Sequence, residues 1–563
     1  MRRSWIIAIV IALVLVVVLG GGAALVLPGL QARAEPVASE YLAAWARADY
    51  PAMLRLVNLA PDDFAEQHER MRADLKVTRT RFTLGPVRTR GGTRATASFT
   101  AILTLRGIGN WSYQDQLHLS KPGRFGRDWR VDWSPATLHP DLQEGMRFRQ
   151  TREWPQRGSI LAADGSLLAG AKGAAGGPAS LAAMVGSVKE KATTTDLKRL
   201  RLGAPYQPGD SVGRGGLEQA FERRLAGSPT AQVEIVDEDG NQVEVLHRFG
   251  GEPGASLQTT VETRMQLAAE SALGDADGHY ASLVAVQPST GAIRAMVNLP
   301  NAGFQRATLG RYPPGSTFKV ITTAALLQKG LQPSEPVTCP KDVKVGGLTI
   351  GNFEQEHLGT IPFDVAFAKS CNTAFVQLAT GRLTGSELAR AASRFGFGVP
   401  IAPGIPAVTS KAPVAQSSAE LAMSAFGQAR VSASPLEMAT VAATVQSGVW
   451  RAPRLLDEQA LSTLDARQPS PRPLDPVVAD TLRNLMRQVV TSGTAAGAGL
   501  PDGVAGKTGT AEFGTGDKPP THAWFIGFRG DLAVAVVVER GGVGGEAAAP
   551  VAARFFRTVG AAT

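Results

Sequence analysis

Any fold this chain adopts has to gather three short segments that lie far apart in the sequence: Ser316-Thr317-Phe318-Lys319, Ser370-Cys371-Asn372 and Lys507-Thr508-Gly509-Thr510. A serine hydroxyl is a weak nucleophile until a neighbouring base takes its proton. Ser316 and Lys319 are three positions apart, so on a helix their side chains share a face, which makes Lys319 the candidate base. A lysine is a base only when neutral. Burial and a nearby cation both disfavour its charged form, and Lys507 is the candidate cation. Two unit charges about 4 Å apart interact by roughly 4 kcal/mol at an effective dielectric near 20, enough to bring a lysine from about 10.4 towards neutrality. Ser370 would carry a proton to a leaving amine. Asn372, two residues on along an extended loop, would face the same cleft and bind a substrate amide. The residues leave open whether Lys319 or a relay through Ser370 takes the nucleophile's proton. Each segment alone reads as a helix cap or a turn; it is their joint occurrence, in this order, that points to acyl transfer.

The amino terminus decides where such chemistry takes place. Arg2 and Arg3 precede an uncharged apolar run from Trp5 to Leu27, long enough to cross a bilayer once as a helix. The positive-inside rule puts 1–4 in the cytoplasm and everything after Pro28 outside. A signal peptide cleaved near Ala32-Arg33-Ala34 is the alternative, and it exports the same body. The net charge of +9 is scattered, with no dense tract and no interleaved aromatic series. Nucleic acid is therefore not an expected partner, whereas an anionic membrane or wall polymer is. An oxidising exterior permits a bridge between Cys339 and Cys371, the only cysteines; a pair of buried thiols is the alternative. Two cysteines and few clustered histidines give no metal-site signal, and no cofactor is expected.

At 563 residues the chain exceeds one core, and three or four domains are expected. A helical pattern over 35–57 puts Tyr41, Leu42, Trp45, Leu54 and Val57 on one face. Alternating stretches at 77–84, 95–105, 111–119 and 129–133 predict a curved antiparallel sheet. Asp164-Gly165 predicts a hairpin turn, and the Gly/Ala-rich stretch 172–183 a mobile loop or linker. Two strands, 281–288 and 292–299, then precede a helix over 316–328 entered through Pro313-Pro314-Gly315 and stopped at Gly330. Helices follow at 363–378, 385–395 and 419–426, strands at 507–512, 523–527 and 532–539, and a last helix at 549–559.

The S-x-x-K, S-x-N and K-T-G set is that of penicillin-binding proteins and class A β-lactamases. The wider blocks Pro313 to Lys319, Ala368 to Phe375, Phe426-Gly427-Gln428, Ser434 to Ala439, Gly506 to Glu512 and Trp524 to Gly527 look like those of class B penicillin-binding proteins. The run from Trp129 to Pro140 resembles the nuclear-transport-factor-like N-terminal domain that some of them carry. Arg157-Gly158-Ser159-Ile160-Leu161 and Gly216-Leu217-Glu218 are similar to landmarks of the pedestal or dimerisation domain, here abbreviated. The resemblance implies a multidomain α+β chain: a cytoplasmic tail 1–4, a transmembrane helix 5–27, a nuclear-transport-factor-like domain 28–147, a pedestal 148–262 and a transpeptidase domain 263–563. That last domain is an antiparallel sheet packed with helices, β-lactamase-like.

For the site, the resemblance implies Ser316 as nucleophile and an oxyanion hole made from the backbone N–H groups of Ser316 and Thr510. Lys507, Thr508 and Thr510, on the strand through Gly509, would grip the carboxylate of a stem peptide ending in D-Ala-D-Ala. It implies a peptidoglycan D,D-transpeptidase of a bacterial cell membrane, acylated by β-lactams, with a glycosyltransferase among its partners. A D,D-carboxypeptidase of the same fold and a non-catalytic penicillin-binding sensor or scaffold are the alternatives. No glutamate-centred E-x-x-L-N segment lies between Asn372 and Lys507, which disfavours a β-lactamase.

Overall fold

The computed structural model describes residues 34–122, 128–170, 176–274, 276, 278–464, 468–515 and 518–560. The transmembrane helix expected over 5–27 lies outside the described residues. Among the described residues no helix is long and apolar enough to cross a membrane. The chain divides into two compact units. One takes in the described residues up to Glu153 together with 203–205 and 229–250, and the other takes in the rest.

In the first unit the strands β1 (Val57–Asn58), β2 (Val77–Arg90), β3 (Arg94–Leu105), β4 (Gly109–Ser120) and β5 (Arg130–Asp132) form one sheet in the order β1-β5-β4-β3-β2. Strict alternation along β3 buries Ala95, Ala97, Phe99, Ala101, Leu103 and Leu105, as a sheet with one covered face requires. Tyr41, Leu42 and Trp45 of the helix Ala34–Ala46 belong to the same core. The helix expected to run through to Val57 is interrupted. Ala48 turns left-handed at φ 56°, Asp49 caps a second short helix, Tyr50–Leu54, and Val57 opens β1.

A second sheet, β6 (Arg147–Glu153), β7 (Thr230–Val236) and β8 (Gln242–Phe249), is antiparallel in the order β8-β7-β6. Its Phe148, Val233 and Ile235 complete the first unit's core. Stretches that linear order assigns to the pedestal thus pack with the amino-terminal domain, because their apolar faces are buried there.

In the second unit Ile160–Leu161 and Leu167–Ala169 pair around the Asp164-Gly165 turn. Of the expected linker 172–183, residues up to 175 lie outside the described ones. The remainder is folded: Ala179–Leu181 and Ala182–Val185 are helical turns that bury Leu181 and Met184. Alanine favours helix as strongly as glycine opposes it, and the apolar residues among the alanines give the turns something to bury.

The central sheet consists of β9 (Ala281–Val286), β10 (Ile293–Leu299), β11 (Ala505–Glu512), β12 (Thr521–Arg529) and β13 (Leu532–Val538), all antiparallel in the order β10-β9-β13-β12-β11. Every residue of β9 and β13 is buried, so both faces are covered. The paired helices Thr263–Gly274 and Gly544–Val559 and the helix Pro435–Ser447 pack against the sheet. The strand carrying the third motif, β11, is an edge strand, and the turn Gly315–Phe318 lies against it. That placement brings the first and third motifs together.

Candidate active site

The first motif is a 3₁₀ turn, Gly315–Phe318, running directly into the helix Lys319–Gln328. The expected helix therefore starts at Lys319, with Ser316 in the tighter turn ahead of it. Side chains three apart eclipse in that geometry, which keeps Ser316 and Lys319 on one side. Gly315 has φ +54°, and a Cβ at Gly509 would come within 2.9 Å of Thr317 Cγ2 and 3.0 Å of Pro314 O. Glycine at 509 is what lets the turn and the edge strand approach this closely.

Ser370 and Asn372 do not lie on an extended loop; they form a tight junction between the helices Phe363–Ala368 and Asn372–Arg382. The Ser370 N–H bonds Phe367 O at 3.1 Å and the Cys371 N–H bonds Ala366 O at 2.9 Å. This is a Schellman motif with serine, at φ 62°, in the left-handed position that glycine usually takes. Cys371 caps the second helix and is disulfide-bonded to Cys339, so the bridge the sequence left open is present and braces this junction. Asn352 adds a second brace. Its Nδ2 donates to Pro340 O at 2.8 Å and Glu356 O at 2.7 Å, while its Oδ1 accepts from Thr373 N at 3.0 Å.

Lys319 is fully buried. Its Nζ lies 2.6 Å from Ser370 O, 2.6 Å from Asn372 Oδ1 and 3.2 Å from Ser370 Oγ. Asn372 Nδ2 donates to Gly351 O at 3.2 Å, which orients the amide with its oxygen towards Lys319. A neutral amine has two N–H bonds and one lone pair, and both carbonyl oxygens can only accept. The two short contacts therefore use both N–H bonds and leave the lone pair for a hydroxyl. Burial first, and the Lys507 charge second, hold Lys319 well below its ordinary value, which favours that neutral form.

Lys507 is also fully buried, and burial pushes it down to about 7. Its Nζ donates to Ser370 Oγ at 2.9 Å and to Thr508 O at 3.1 Å. The Ser370 hydroxyl thus sits between two amines, able to accept from one while donating to the other.

Above this core lies a cavity of about 400 Å³ lined by Ser316, Ser370, Asn372, Thr508, Gly509 and Thr510, among others. Neither Lys319 nor Lys507 lines it, so Lys507 acts on the cavity through Ser370, and the polar side chains of its strand that line the cavity are Thr508, Thr510 and Glu512. Thr508 Oγ1 is 2.5 Å from Thr494 Oγ1, and the Thr494 N–H bonds Ala368 O at 3.1 Å. Thr494 therefore ties the third motif to the helix that ends in the second. Thr494, Asn352, Phe353, Glu356 and Met423 line the cavity and escape sequence reasoning. Thr494 left only a faint trace, the small polar run from Thr491 after a long helical pattern. Among the described residues no His, Cys, Asp or Glu cluster could hold a metal ion.

A serine lining a cavity, two buried lysines of depressed basicity and a hydroxyl bridging them define a serine acyltransferase that works without histidine. A model of the penicillin-binding protein transpeptidase domain matches residues 281–557, a penicillin-binding protein dimerisation domain matches 178–259, and an NTF2-like N-terminal transpeptidase domain matches 33–146. The chain belongs to the penicillin-binding protein transpeptidase family. Peptidoglycan D,D-transpeptidase PbpA of Mycolicibacterium smegmatis is 36% identical over 399 residues, 61% of this chain and 76% of the relative. The protein of the same name from Mycobacterium tuberculosis is 35% identical over 354 residues, 53% of this chain and 71% of its own. The solved ceftriaxone acyl-enzyme complex of penicillin-binding protein A from M. tuberculosis covers 72% of this chain and 98% of its own, at 28% identity and a TM-score of 0.55. Penicillin-binding protein PBP2 of Helicobacter pylori, solved with MreC, shares the fold at 16% identity and a TM-score of 0.63, covering 73% of this chain and 98% of its own.

Proposed function

We propose that this protein is a peptidoglycan D,D-transpeptidase that cross-links stem peptides through an acyl-enzyme on Ser316 and is acylated by β-lactams. The observation that carries this reading is the Ser370 hydroxyl, held 3.2 Å from Lys319 Nζ and 2.9 Å from Lys507 Nζ, beside the cavity that Ser316 lines.

Ser316 Oγ attacks the carbonyl carbon of the penultimate D-alanine and gives up its proton to Ser370 Oγ, which passes its own to the lone pair of Lys319. The oxyanion faces the backbone N–H groups of Ser316 and Thr510, and losing one such donor typically costs about 10²–10³ in rate. Collapse expels the last D-alanine, whose amine takes a proton from Ser370 Oγ, refilled from Lys319. An amine of a neighbouring stem peptide then attacks the ester carbon and returns its proton by the same route, restoring Ser316. Thr508 and Thr510 hold the terminal carboxylate, and Lys507, when charged, adds an attractive field from beneath. A β-lactam amide takes the place of the D-Ala-D-Ala bond.

The body of the chain works outside the cytoplasmic membrane, tethered by residues 5–27, and this placement rests on the uncharged apolar run behind Arg2 and Arg3. The strands it cross-links are polymerised by a separate glycosyltransferase. Supporting that partner, a neighbour covering 75% of this chain is described as coordinating polymerization and crosslinking in a peptidoglycan synthase complex.

The test is labelling by a fluorescent penicillin, expected in the intact protein and lost in Ser316→Ala; labelling that persists in the variant removes the nucleophile assigned here. Assaying products separates the competing hydrolase, since a transpeptidase yields cross-linked dimer where a carboxypeptidase yields only free D-alanine.

A further inference from the structure

The approach to Ser316 is tied down residue by residue. Tyr312 exchanges backbone hydrogen bonds with Ala433 at 3.0 and 2.8 Å, and the Gly315 N–H bonds Gly427 O at 3.1 Å. Pro313 O accepts from Trp524 Nε1 at 3.1 Å, and Pro314 O accepts from Thr317 Oγ1 at 2.7 Å. One further tie is made by an acidic side chain. Tyr312 OH donates to Glu539 Oε1 at 2.8 Å, and the same oxygen accepts from Arg306 Nε at 2.8 Å. Arg306 is buried, and its guanidinium lies 4.2 Å over the Tyr280 ring. The Tyr312 ring meets His522 edge-on at 5.2 Å, and His522 stacks on Phe513 at 3.9 Å. Nothing in acyl transfer itself calls for this acid.

Sheet register shows what Glu539 is joined to. Thr510 of β11 pairs with Ala523 of β12, and Ala523 pairs with Val538 of β13. Glu539 is the next residue after Val538. The Tyr312–Glu539 bond therefore closes a ring that runs from the Ser316 turn through Tyr312 and Glu539, then across one row of the sheet to Thr510. In the mechanism proposed above, Ser316 and Thr510 supply the two backbone N–H groups that face the oxyanion.

We propose that Glu539 is a positioning residue for acyl transfer: by holding Tyr312 it fixes the turn bearing Ser316 against the sheet row bearing Thr510, and so sets the gap between the two oxyanion donors. Arg306 keeps the carboxylate oxygen aimed at Tyr312. The oxyanion forms only after attack, so a widened gap slows the acylation step and leaves the affinity for unreacted ligand alone. A misplacement on the order of 1 Å is enough to cost about a hundredfold.

The proposal rests on Ser316 being the nucleophile, which the Ser316→Ala labelling tests separately. With that established, stopped-flow acylation of the full chain by a fluorescent penicillin resolves the dissociation constant from the acylation rate. Tyr312→Phe, which keeps the ring and its packing, and Glu539→Ala are expected to slow acylation by about ten- to a hundredfold, with the dissociation constant within about twofold. Glu539→Gln keeps an oxygen for Tyr312 and is expected to recover most of the rate. The double variant Tyr312→Phe/Glu539→Ala is expected to be no slower than the slower single, because both break one ring. Rates are read on the fraction that labels, so molecules that fail to fold do not enter. An intact rate in Tyr312→Phe, a loss confined to melting temperature, or single effects that multiply in the double variant would overturn the assignment.

Discussion

Replacing Ser370 by glycine and by alanine separates two costs that this residue combines. Both variants lose the hydroxyl between Lys319 Nζ and Lys507 Nζ, so any penalty from the lost hydrogen bonds is common to them. They differ in Cβ. At φ 62° a residue with a Cβ bears roughly 1–2 kcal/mol of left-handed strain, and glycine bears none. Glycine gives back roughly 0.5–1 kcal/mol through the greater freedom of its unfolded chain. The balance favours Ser370→Gly over Ser370→Ala by about 0.5–1 kcal/mol, or on the order of 1–2 °C in the melting transition of a unit this large. The Schellman bonds to Phe367 O and Ala366 O are backbone bonds and survive in both. Acylation by a fluorescent penicillin is expected to fall by about 10²–10⁴ in each, the usual worth of a positioned proton carrier. Scanning calorimetry on the pair, alongside acylation rates, reads both effects. If alanine proves as stable as glycine, the left-handed strain is not where the structure puts it. If the glycine variant acylates like the intact protein, the relay through Ser370 falls with it.

Three other perturbations probe the same site. Lys507 stands near 7 when folded against an ordinary 10.5, so between those values the folded chain binds fewer protons than the unfolded one. This group's contribution to stability therefore rises with pH across that window and is lost as pH falls towards 7. In Lys507→Met the dependence should vanish, so the variant's melting temperature should gain on the intact protein as pH is lowered from 10 to 7; parallel curves would show that Lys507 is not desolvated. Opening the Cys339–Cys371 bridge in the double serine variant releases a loop spanning a separation of 32 residues, which chain entropy values at about 3–4 kcal/mol. Both the melting temperature and the acylation rate should fall, and an intact rate would mean the second motif holds its shape unaided. Gly509→Ala puts a methyl within 2.9 Å of Thr317 Cγ2 and 3.0 Å of Pro314 O, so turn and strand must part. At least a tenfold loss of acylation is expected with the helices intact by circular dichroism, and a wild-type rate would show that the gap tolerates widening.

The motifs were legible because each function needs a particular side chain at short range along the chain, and 3₁₀ and strand geometry preserve short-range order. The strands of the central sheet were legible for a similar reason, as runs such as 532–538 have no polar residue and no helical alternative once the flanking turns are read. What escaped was set by geometry that has no local signature. Ser370 reads as a loop residue, because nothing in Ser-Cys-Asn reports that its neighbours Ala366 and Phe367 would accept a reverse-turning backbone. Thr494 sits far from either group it links. The three-stranded sheet of 147–153, 230–236 and 242–249 was assigned by linear order to the pedestal, yet its apolar face goes to the amino-terminal core, a choice made by complementary surfaces and not by sequence position.

A lysine base raises a difficulty that this site resolves by making two like charges unequal. Two ammonium groups sharing one hydroxyl would repel each other, and burial adds a desolvation cost for each. One proton leaves, and the surroundings decide which. Lys319 faces two carbonyl oxygens that satisfy both N–H bonds of a neutral amine, and its basicity is depressed by the Lys507 charge as well as by burial. Lys507 is depressed by burial, to about 7, and has the Ser370 hydroxyl and the Thr508 carbonyl as acceptors. The asymmetry gives direction to the hydroxyl between them: Ser370 accepts from Lys507 and donates to Lys319. A substrate carboxylate arriving near Thr508 and Thr510 favours the charged form of Lys507, which in turn holds Lys319 neutral. Substrate binding thereby prepares the base, and a ligand lacking the carboxylate should acylate more slowly than its affinity alone predicts. Methyl esterification of a penicillin's carboxylate tests this directly: a loss confined to the dissociation constant would mean the two lysines do not communicate.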